Sequence, residues 1–430
     1  MNPVRSTTLP ALTSIRFFAA LHIFVFHLWA MSQVMRGNPD MPSIGGFDGM
    51  PVWMLNLIQR GYCSTSLFFL LSGFVLAYLY VDGTGGATVD DRSFWYARFT
   101  RIYPLHIGLL VLIAPLSIGF ASQLPSTTLL GMPVSKPVYL IVGFVLSATL
   151  TQAWAPEYAL SWNFPTWALS AVVFFYAVFP WLVRRVRGLG RRASWLLIVA
   201  CPLVSLAPPA IYLAVFREDR QMSFSPEHFW QQFFNEFVMR TPLFWLPHFV
   251  MGVMLARVFN ITRHDDAWRS FRHEGSESGH GGVGAGRDED KSKRRMAWGD
   301  IAAVVVLLVL IASDGLLARM LLLPPDFPVR LLIRHGLLAP PYCLIVLDLA
   351  RGRGVLAKFL SWRGLEKLGE ASFSIFMWQF PMLVAGTIAI AVLRLPAPAH
   401  IPLVVALTVA ASLLSAKLEK KLTTRLRLKS

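Results

Sequence analysis

The sequence predicts an all-α protein, a bundle of helices that crosses a lipid bilayer many times. Composition is the first indication, since 55% of the 430 residues are hydrophobic and only 15% are charged, whereas soluble domains carry about a quarter charged residues. The second is the recurrence of apolar runs of about 18 to 22 residues, the length that crosses a hydrocarbon core. We therefore expect one integral-membrane domain over 1–430, with its core at about 10–415.

Eleven apolar segments define the predicted bundle. They are 10–32, 62–81, 105–121, 137–153, 164–183, 194–216, 241–258, 299–317, 330–350, 369–394 and 398–416. The basic loops between them fall on one side of the membrane only if segment 137–153 does not cross, and its Gly143 favours an interrupted path. This predicts about ten full spans plus one re-entrant or interfacial segment, with both termini in the cytoplasm.

Two polar segments lie outside the predicted spans. Residues 260–298 are rich in Gly and Ser and lack apolar periodicity, which predicts a disordered cytoplasmic loop, and 417–430 form a basic cytoplasmic tail. The net charge of +16 resides mostly in such loops, so we expect the lipid bilayer and no nucleic acid as a partner. The three cysteines, Cys63, Cys201 and Cys343, have no zinc-like spacing, and no metal is expected.

Arg16 and His27 are the most informative residues of the first apolar segment. They are eleven positions apart, so on a helix they share one face and are separated by roughly 16 Å along the axis. An arginine inside an apolar segment is costly and is usually kept for function. The alternative, which the residues alone leave open, is that Arg16 snorkels to the interface and His27 is a hydrogen-bonded core histidine.

Arg98 and Arg101 are the second candidate pair. They are three residues apart, so they would be neighbours on a helix and could clamp an anion such as phosphate. The alternative is that they only signal membrane orientation. Further polar side chains in apolar segments could form a polar path, and these are Ser66, Ser72, Ser170, Tyr176 and Gln379. Gly73, beside Ser72, predicts close approach of another backbone.

Taken in order, these stretches resemble the membrane-bound acyltransferase family 3, which includes bacterial enzymes that acylate surface and secreted glycans. Leu12, Arg16 and His27 match the opening signature of the family at its Arg-x10-His spacing. Arg98 and Arg101 match its Arg-x-x-Arg element. Three further family elements are similar to 67–74, 167–180 and 368–381.

This chain departs from the family pattern at two positions. The family usually has a glutamate where Ala171, Val172 and Val173 stand, and it often has a histidine at the position of Gln379. Glu157, just before the same span, is a candidate substitute for the missing carboxylate.

The resemblance implies transfer of an acyl group, expected to be acetyl, from acyl-CoA to a hydroxyl of a glycan or lipid-linked saccharide at a bacterial inner membrane. His27 would be the base or a transient acyl carrier, and Arg16, Arg98 and Arg101 would hold the donor. Acyl-CoA would be a co-substrate, with no permanently bound cofactor. The alternatives are a transporter of an acylated or lipid-linked metabolite, a non-catalytic scaffold, or a catalytically impaired family member.

Overall fold

The computed structural model describes residues 9–36, 44–81, 90–122, 128–129, 132–216, 229–277, 297–323 and 329–427. The helices are α1 (Pro10–Arg36), α2 (Val52–Gln59), α3 (Ser64–Tyr80), α4 (Asp91–Leu112), α5 (Ala114–Ser122), α6 (Lys136–Ala148), α7 (Trp167–Val186), α8 (Arg191–Phe216), α9 (Phe229–Arg240), α10 (Pro242–Glu277), α11 (Trp298–Ile311), α12 (Asp314–Met320), α13 (Val329–Leu332), α14 (Ala339–Ala350), α15 (Gly354–Leu360), α16 (Arg363–Glu370), α17 (Ser372–Leu393) and α18 (Ala397–Arg427).

Short irregular elements complete the described part of the chain. Turns of 3₁₀ helix occupy Arg60–Cys63, Gln152–Trp154, Pro156–Tyr158 and Phe164–Thr166, and a π-helical turn occupies Ile333–Leu337. The strands β1 (Thr128–Leu129) and β2 (Met132–Pro133) form one antiparallel pair. The predicted fold class, a polytopic bundle of transmembrane helices, is confirmed.

Within the described residues, eight helical segments are long and apolar enough to cross a membrane. They are Pro10–Arg36, Val52–Tyr80, Phe164–Val186, Arg191–Phe216, Phe233–Arg263, Val329–Ala350, Ser372–Leu393 and Ala397–Glu419. The other two predicted full spans are interrupted. The first is divided between α4 and α5, because Pro115 cannot continue the helix and sits in the first turn of α5. The second is divided between α11 and α12, where Ser313 caps the new helix through Leu316 N.

The segment predicted to be re-entrant or interfacial forms α6, which buries only Gly143 and Ser147, and the chain then turns back. The 13 residues of this helix are too few to cross the hydrocarbon core. The following 3₁₀ turns return along it, since the rings of Tyr139 and Tyr158 stack with their centres 4.9 Å apart. Trp162 Nε1 also donates to Leu140 O at 3.2 Å. After this return, Phe164 packs against Phe380 just before α7 begins.

The prediction of a disordered loop over 260–298 is wrong for its first part. Helix α10 continues to Glu277, and 260–274 contain no Gly or Pro that would break it. Residues 278–296 lie outside the described residues. The predicted tail is helical as far as Arg427, and its cytoplasmic location stays a prediction.

Contacts between chain segments sort the helix ends into two groups. The first group, named the arginine end, is joined by Arg184–Asp91 (3.0 Å), Asn260–Val81 (2.8 Å) and Gly299–Asp348 (2.7 Å). The second group, named the opposite end, is joined by Asn56–Ile311 (3.0 Å), Gly45–His400 (2.9 Å) and the ion pair Arg60–Asp314. Successive spans that cross the bundle in alternating directions predict these same two groups of helix ends.

Helices α3 and α10 cross in close contact at two glycines. A Cβ on Gly73 would collide with the carbonyl oxygen of Phe249, and a Cβ on Gly252 would collide with that of Leu70. The backbone atoms on both sides belong to helices and cannot give way. The close approach predicted for Gly73 is therefore confirmed.

Replacing Gly73 by Ala is expected to destabilise the protein by about 3 kcal/mol, because the added methyl group overpacks a backbone contact. Gly108→Ala is the matched control, since no atom lies within 4 Å of its added Cβ and alanine favours a helix. The measurement is the thermal unfolding midpoint of each purified protein in detergent. Equal midpoints for Gly73→Ala and wild type would contradict the close contact.

Candidate active site

Helix α1 carries Arg16 and His27 as one continuous helix from Pro10 to Arg36. Both side chains are half-buried, and regular helix geometry separates them by about 16 Å along the axis. The Arg16 guanidinium donates from Nε to Leu12 O at 3.2 Å. Both residues therefore have the placement that their spacing predicts.

Gln379 of α17 bonds directly to His27. The Gln379 side-chain oxygen lies 2.7 Å from His27 Nδ1, while its amide nitrogen donates to Ala20 O at 3.4 Å. This hydrogen-bond pattern assigns the proton of the neutral imidazole to Nδ1, because an amide oxygen can only accept. The lone pair of Nε2 is then available to take a proton or to attack a carbonyl carbon.

An aromatic wall borders the imidazole. The ring of Phe164 meets that of His27 edge to face with centres 4.8 Å apart, and Phe380 packs on Phe164 at 5.3 Å. Beside it, Asn163 donates to Met377 O at 3.4 Å. Phe164 and Asn163 lie here because the chain that returns along α6 ends at this point, which hydropathy alone does not predict.

Replacing Gln379 by Leu is expected to lower the rate of acyl transfer roughly 10- to 100-fold, the usual cost of losing a group that orients a reactive histidine. Gln379→Glu should retain much of the rate, because a carboxylate also accepts from Nδ1–H. The measurement is kcat for both variants with KM for the donor determined in parallel. A loss confined to KM would contradict an orienting role.

Four predicted residues converge at the arginine end. The Arg98 guanidinium lies 5.7 Å from the ring centre of Tyr176. Arg16 interacts electrostatically with both Arg101 and Tyr176. Arg98 and Arg16 thus both lie near Tyr176, and Arg101 lies near Arg16. Like charges repel, so this arrangement favours an anionic ligand between them.

Glu419 joins this group and was missed by the sequence analysis. Its Oε1 accepts from Ser374 at 2.9 Å and from Ser415 at 3.2 Å, and its carboxylate interacts electrostatically with Arg101. In the sequence Glu419 follows the last apolar run and belongs to the basic tail. The available signal is that it lies four residues, one helical turn, after Ser415.

The predicted polar path is only partly assembled. Ser170 is fully buried on α7, between Phe164 beside His27 and Tyr176 at the arginine end, and its hydroxyl has no partner among the described residues. Ser66 instead donates to Cys63 O at 2.7 Å within its own chain turn. Ser72 is half-buried on α3, and no contact joins it to His27.

Several other sequence features have structural roles. His22 bonds to Ser64 Oγ at 2.9 Å and Leu57 O at 2.7 Å, which ties α1 to α2 and α3. Cys63, Cys201 and Cys343 are buried free thiols. Glu157 lies beside Tyr139 and Tyr158, in the 3₁₀ turn that follows segment 137–153. The described residues contain no group of three or more His, Cys, Asp or Glu placed to hold a metal.

A second buried polar cluster lies near His27 and was also missed. Arg240 forms an ion pair with Glu236. Arg334 and His335 lie in the π-helical turn, and Arg334 and Arg240 both interact electrostatically with His27. The signal in the sequence is the Arg334–His335 pair inside an apolar segment, which belongs to none of the stretches that resemble the family.

Comparison with known proteins gives a family match and two curated relatives. A family profile described as acyltransferase domain matches residues 9–417. The acyltransferase MdmB of Streptomyces mycarofaciens is 34% identical over 195 residues, which are 45% of this chain and 44% of that protein. Protein 2 in the picA locus of Rhizobium radiobacter is 45% identical over 53 residues, 12% of this chain and 28% of that protein.

Each curated match spans less than half of the relative's length, and no solved structure matches the chain. The family profile, in contrast, covers α1 with Arg16 and His27, α4 with Arg98 and Arg101, and α17 with Gln379. Its extent is decisive, because it includes nearly the whole helical bundle. The chain belongs to acyltransferase family 3, a family of membrane acyltransferases.

Proposed function

We propose that the protein transfers an acyl group, in the first place acetyl, from acyl-CoA bound at the arginine end to a hydroxyl group of a glycan or lipid-linked saccharide at the opposite end. The observation that carries this proposal is the hydrogen bond between His27 Nδ1 and Gln379, which leaves Nε2 reactive about 16 Å along the helix from Arg16. The proposed setting is a bacterial inner membrane with both termini in the cytoplasm.

The donor side is supported by the positive charge of the arginine end. Arg16, Arg98 and Arg101 offer planar guanidinium groups that suit phosphate oxygens. At the same end, a cavity of about 400 Å³ is lined by three arginines and two aromatic rings. They are Arg263, Arg351, Arg353, Tyr78 and Phe259. The arginines suit the phosphates of the coenzyme and the aromatic rings suit its base. The thioester arm would then be directed inward.

The chemical step needs a group that accepts the proton of the attacking hydroxyl. His27 Nε2 would take that proton as the hydroxyl oxygen bonds to the thioester carbonyl carbon. The carbon–sulfur bond then breaks, and the imidazolium returns the proton to the leaving thiolate. In a second route, Nε2 itself attacks the carbonyl carbon and carries the acyl group to the hydroxyl. Both routes use the same tautomer of His27.

The test uses the purified chain in proteoliposomes that contain an extract of bacterial lipid-linked saccharides. Acetyl-CoA labelled in the acetyl group is added, and free thiol and labelled saccharide are measured together. Equal amounts of thiol and labelled product support the enzyme. Movement of label across the membrane without thiol release would indicate a transporter and would overturn the proposal.

A further inference from the structure

The second buried cluster surrounds the side of His27 that faces Arg334 and Arg240. Both arginines interact electrostatically with His27. The Arg334 guanidinium lies 5.3 Å from the ring centre of Tyr62 and 6.0 Å from that of Trp245. The Tyr62 ring lies 5.6 Å from that of Phe26, and the Phe26 ring lies 5.4 Å from that of His27, so packed aromatic rings connect Arg334 to His27.

The π-helical turn places two consecutive residues against one ring. Neighbouring residues of an α-helix diverge by about 100°, yet Arg334 and His335 both contact Trp245. The His335 ring stacks on the indole with centres 4.5 Å apart. Turns of π-helix are rare and are frequent at functional sites. The turn therefore concentrates polar groups on the side of the bundle that faces His27.

The cluster contains buried polar atoms without partners among the described residues. His335 has 0% exposure, and neither of its ring nitrogens has a hydrogen-bond partner. The Nε of Arg240 is also unpartnered, although Arg240 pairs with Glu236. Each unsatisfied buried group carries a desolvation cost and calls for an explanation. The repulsion between Arg240 and Arg334 adds to that cost.

We propose that Arg334, Arg240 and His335 form a subsite for an anionic group of the acceptor, a carboxylate or a phosphoryl group, and that this subsite directs the acceptor hydroxyl to His27 Nε2. Guanidinium groups bind both anions through paired hydrogen bonds. The proposal rests on the proposed transfer reaction, since it assigns the acceptor side of the same site. It selects acidic sugars or sugar phosphates as the acceptor class.

The test measures the thermal unfolding midpoint of the purified full chain in detergent, because a ligand that binds the folded state raises it. Inorganic phosphate, glucuronate and glucose are titrated at constant ionic strength, with saturating coenzyme A to occupy the donor arginines. The expected result is a saturable rise with phosphate or glucuronate and none with glucose. The stronger of the two responses identifies the source of the anionic group.

Two variants and one control assign the response to the cluster. In Arg334→Gln, and in His335→Phe, which keeps a ring stacked on Trp245, the half-saturating anion concentration should rise roughly tenfold or more. Arg319→Gln removes an exposed arginine at the opposite end and should respond like wild type. The proposal would be overturned if both cluster variants responded to the anions as wild type does. It would also be overturned if wild type responded no more to the anions than to glucose.

The donor response separates this inference from the proposed function. All three variants should still be stabilised by acetyl-CoA, which also shows that they are folded. Arg98→Gln/Arg101→Gln should lose that stabilisation and keep the response to the anion. An anion response without any acetyl-CoA response in wild type would contradict the proposed donor while leaving the anionic subsite standing.

Discussion

His27→Ala is expected to lower the rate of acyl transfer by roughly 10²- to 10⁴-fold, the usual contribution of a positioned general base. The imidazole is held by Gln379 on one nitrogen and offers the other to the reactants. Without it, a hydroxyl would have to attack the thioester with its proton in place. The measurement is kcat for transfer of labelled acetyl to lipid-linked saccharide in proteoliposomes.

His22→Gln is the matched control for this variant. His22 lies five residues away on the same helix and bonds to Ser64 and Leu57, and glutamine can replace both a donor and an acceptor. The variant should keep most of the activity, and any effect should be on thermal stability through the contacts to α2 and α3. If His27→Ala transferred acetyl at the wild-type rate, His27 would have no place in the mechanism.

Arg98→Gln/Arg101→Gln is expected to raise KM for acetyl-CoA by roughly 100-fold or more. Each lost hydrogen bond to a charged group costs about 1.5–3 kcal/mol, and about 1.4 kcal/mol corresponds to a tenfold change. The effect should be smaller on kcat, because His27 lies about 16 Å farther along the bundle axis than Arg16. Initial rates over a range of acetyl-CoA concentrations give both constants.

Arg92→Gln controls for the loss of positive charge on α4. Arg92 is exposed in the first turn of the same helix, so its removal should change KM only slightly. Substitution of Arg98 and Arg101 by Lys tests the planar geometry, since lysine keeps the charge and loses the paired donors. If the Gln pair changed KM no more than Arg92→Gln does, the two arginines would serve orientation alone.

The sequence predicts the fold class and the placement of Arg16 and His27 on one helix, for simple physical reasons. Apolar runs of bilayer length mark most spans, and regular helix geometry is enough to place Arg16 and His27 on one face. The apolar run 105–121 does not reveal that α4 begins at Asp91, because Arg98 and Arg101 lower the local hydropathy. Hydropathy also fails at 260–277, where a polar sequence continues α10.

Contacts between distant helices are harder to predict. Gln379 is recognisable as polar, but its bond to His27 depends on α17 packing beside α1, which hydropathy does not encode. Arg334 and His335 are missed because hydropathy shows neither the π-helical turn that holds them nor their packing on Trp245. Glu419 is missed because its neighbours in sequence are lysines, while its neighbours in space are serines and Arg101.

In the proposed reaction the donor binds at the arginine end and the acceptor receives the acyl group at the opposite end. Sealed proteoliposomes supplied with labelled acetyl-CoA only on the outside test it most directly, with an impermeant esterase as the probe. We expect free coenzyme A outside the vesicles. We also expect labelled saccharide inside them, so that the esterase removes the labelled acetyl group only after the vesicles are permeabilised. Label that the esterase removes from intact vesicles would contradict this placement of donor and acceptor.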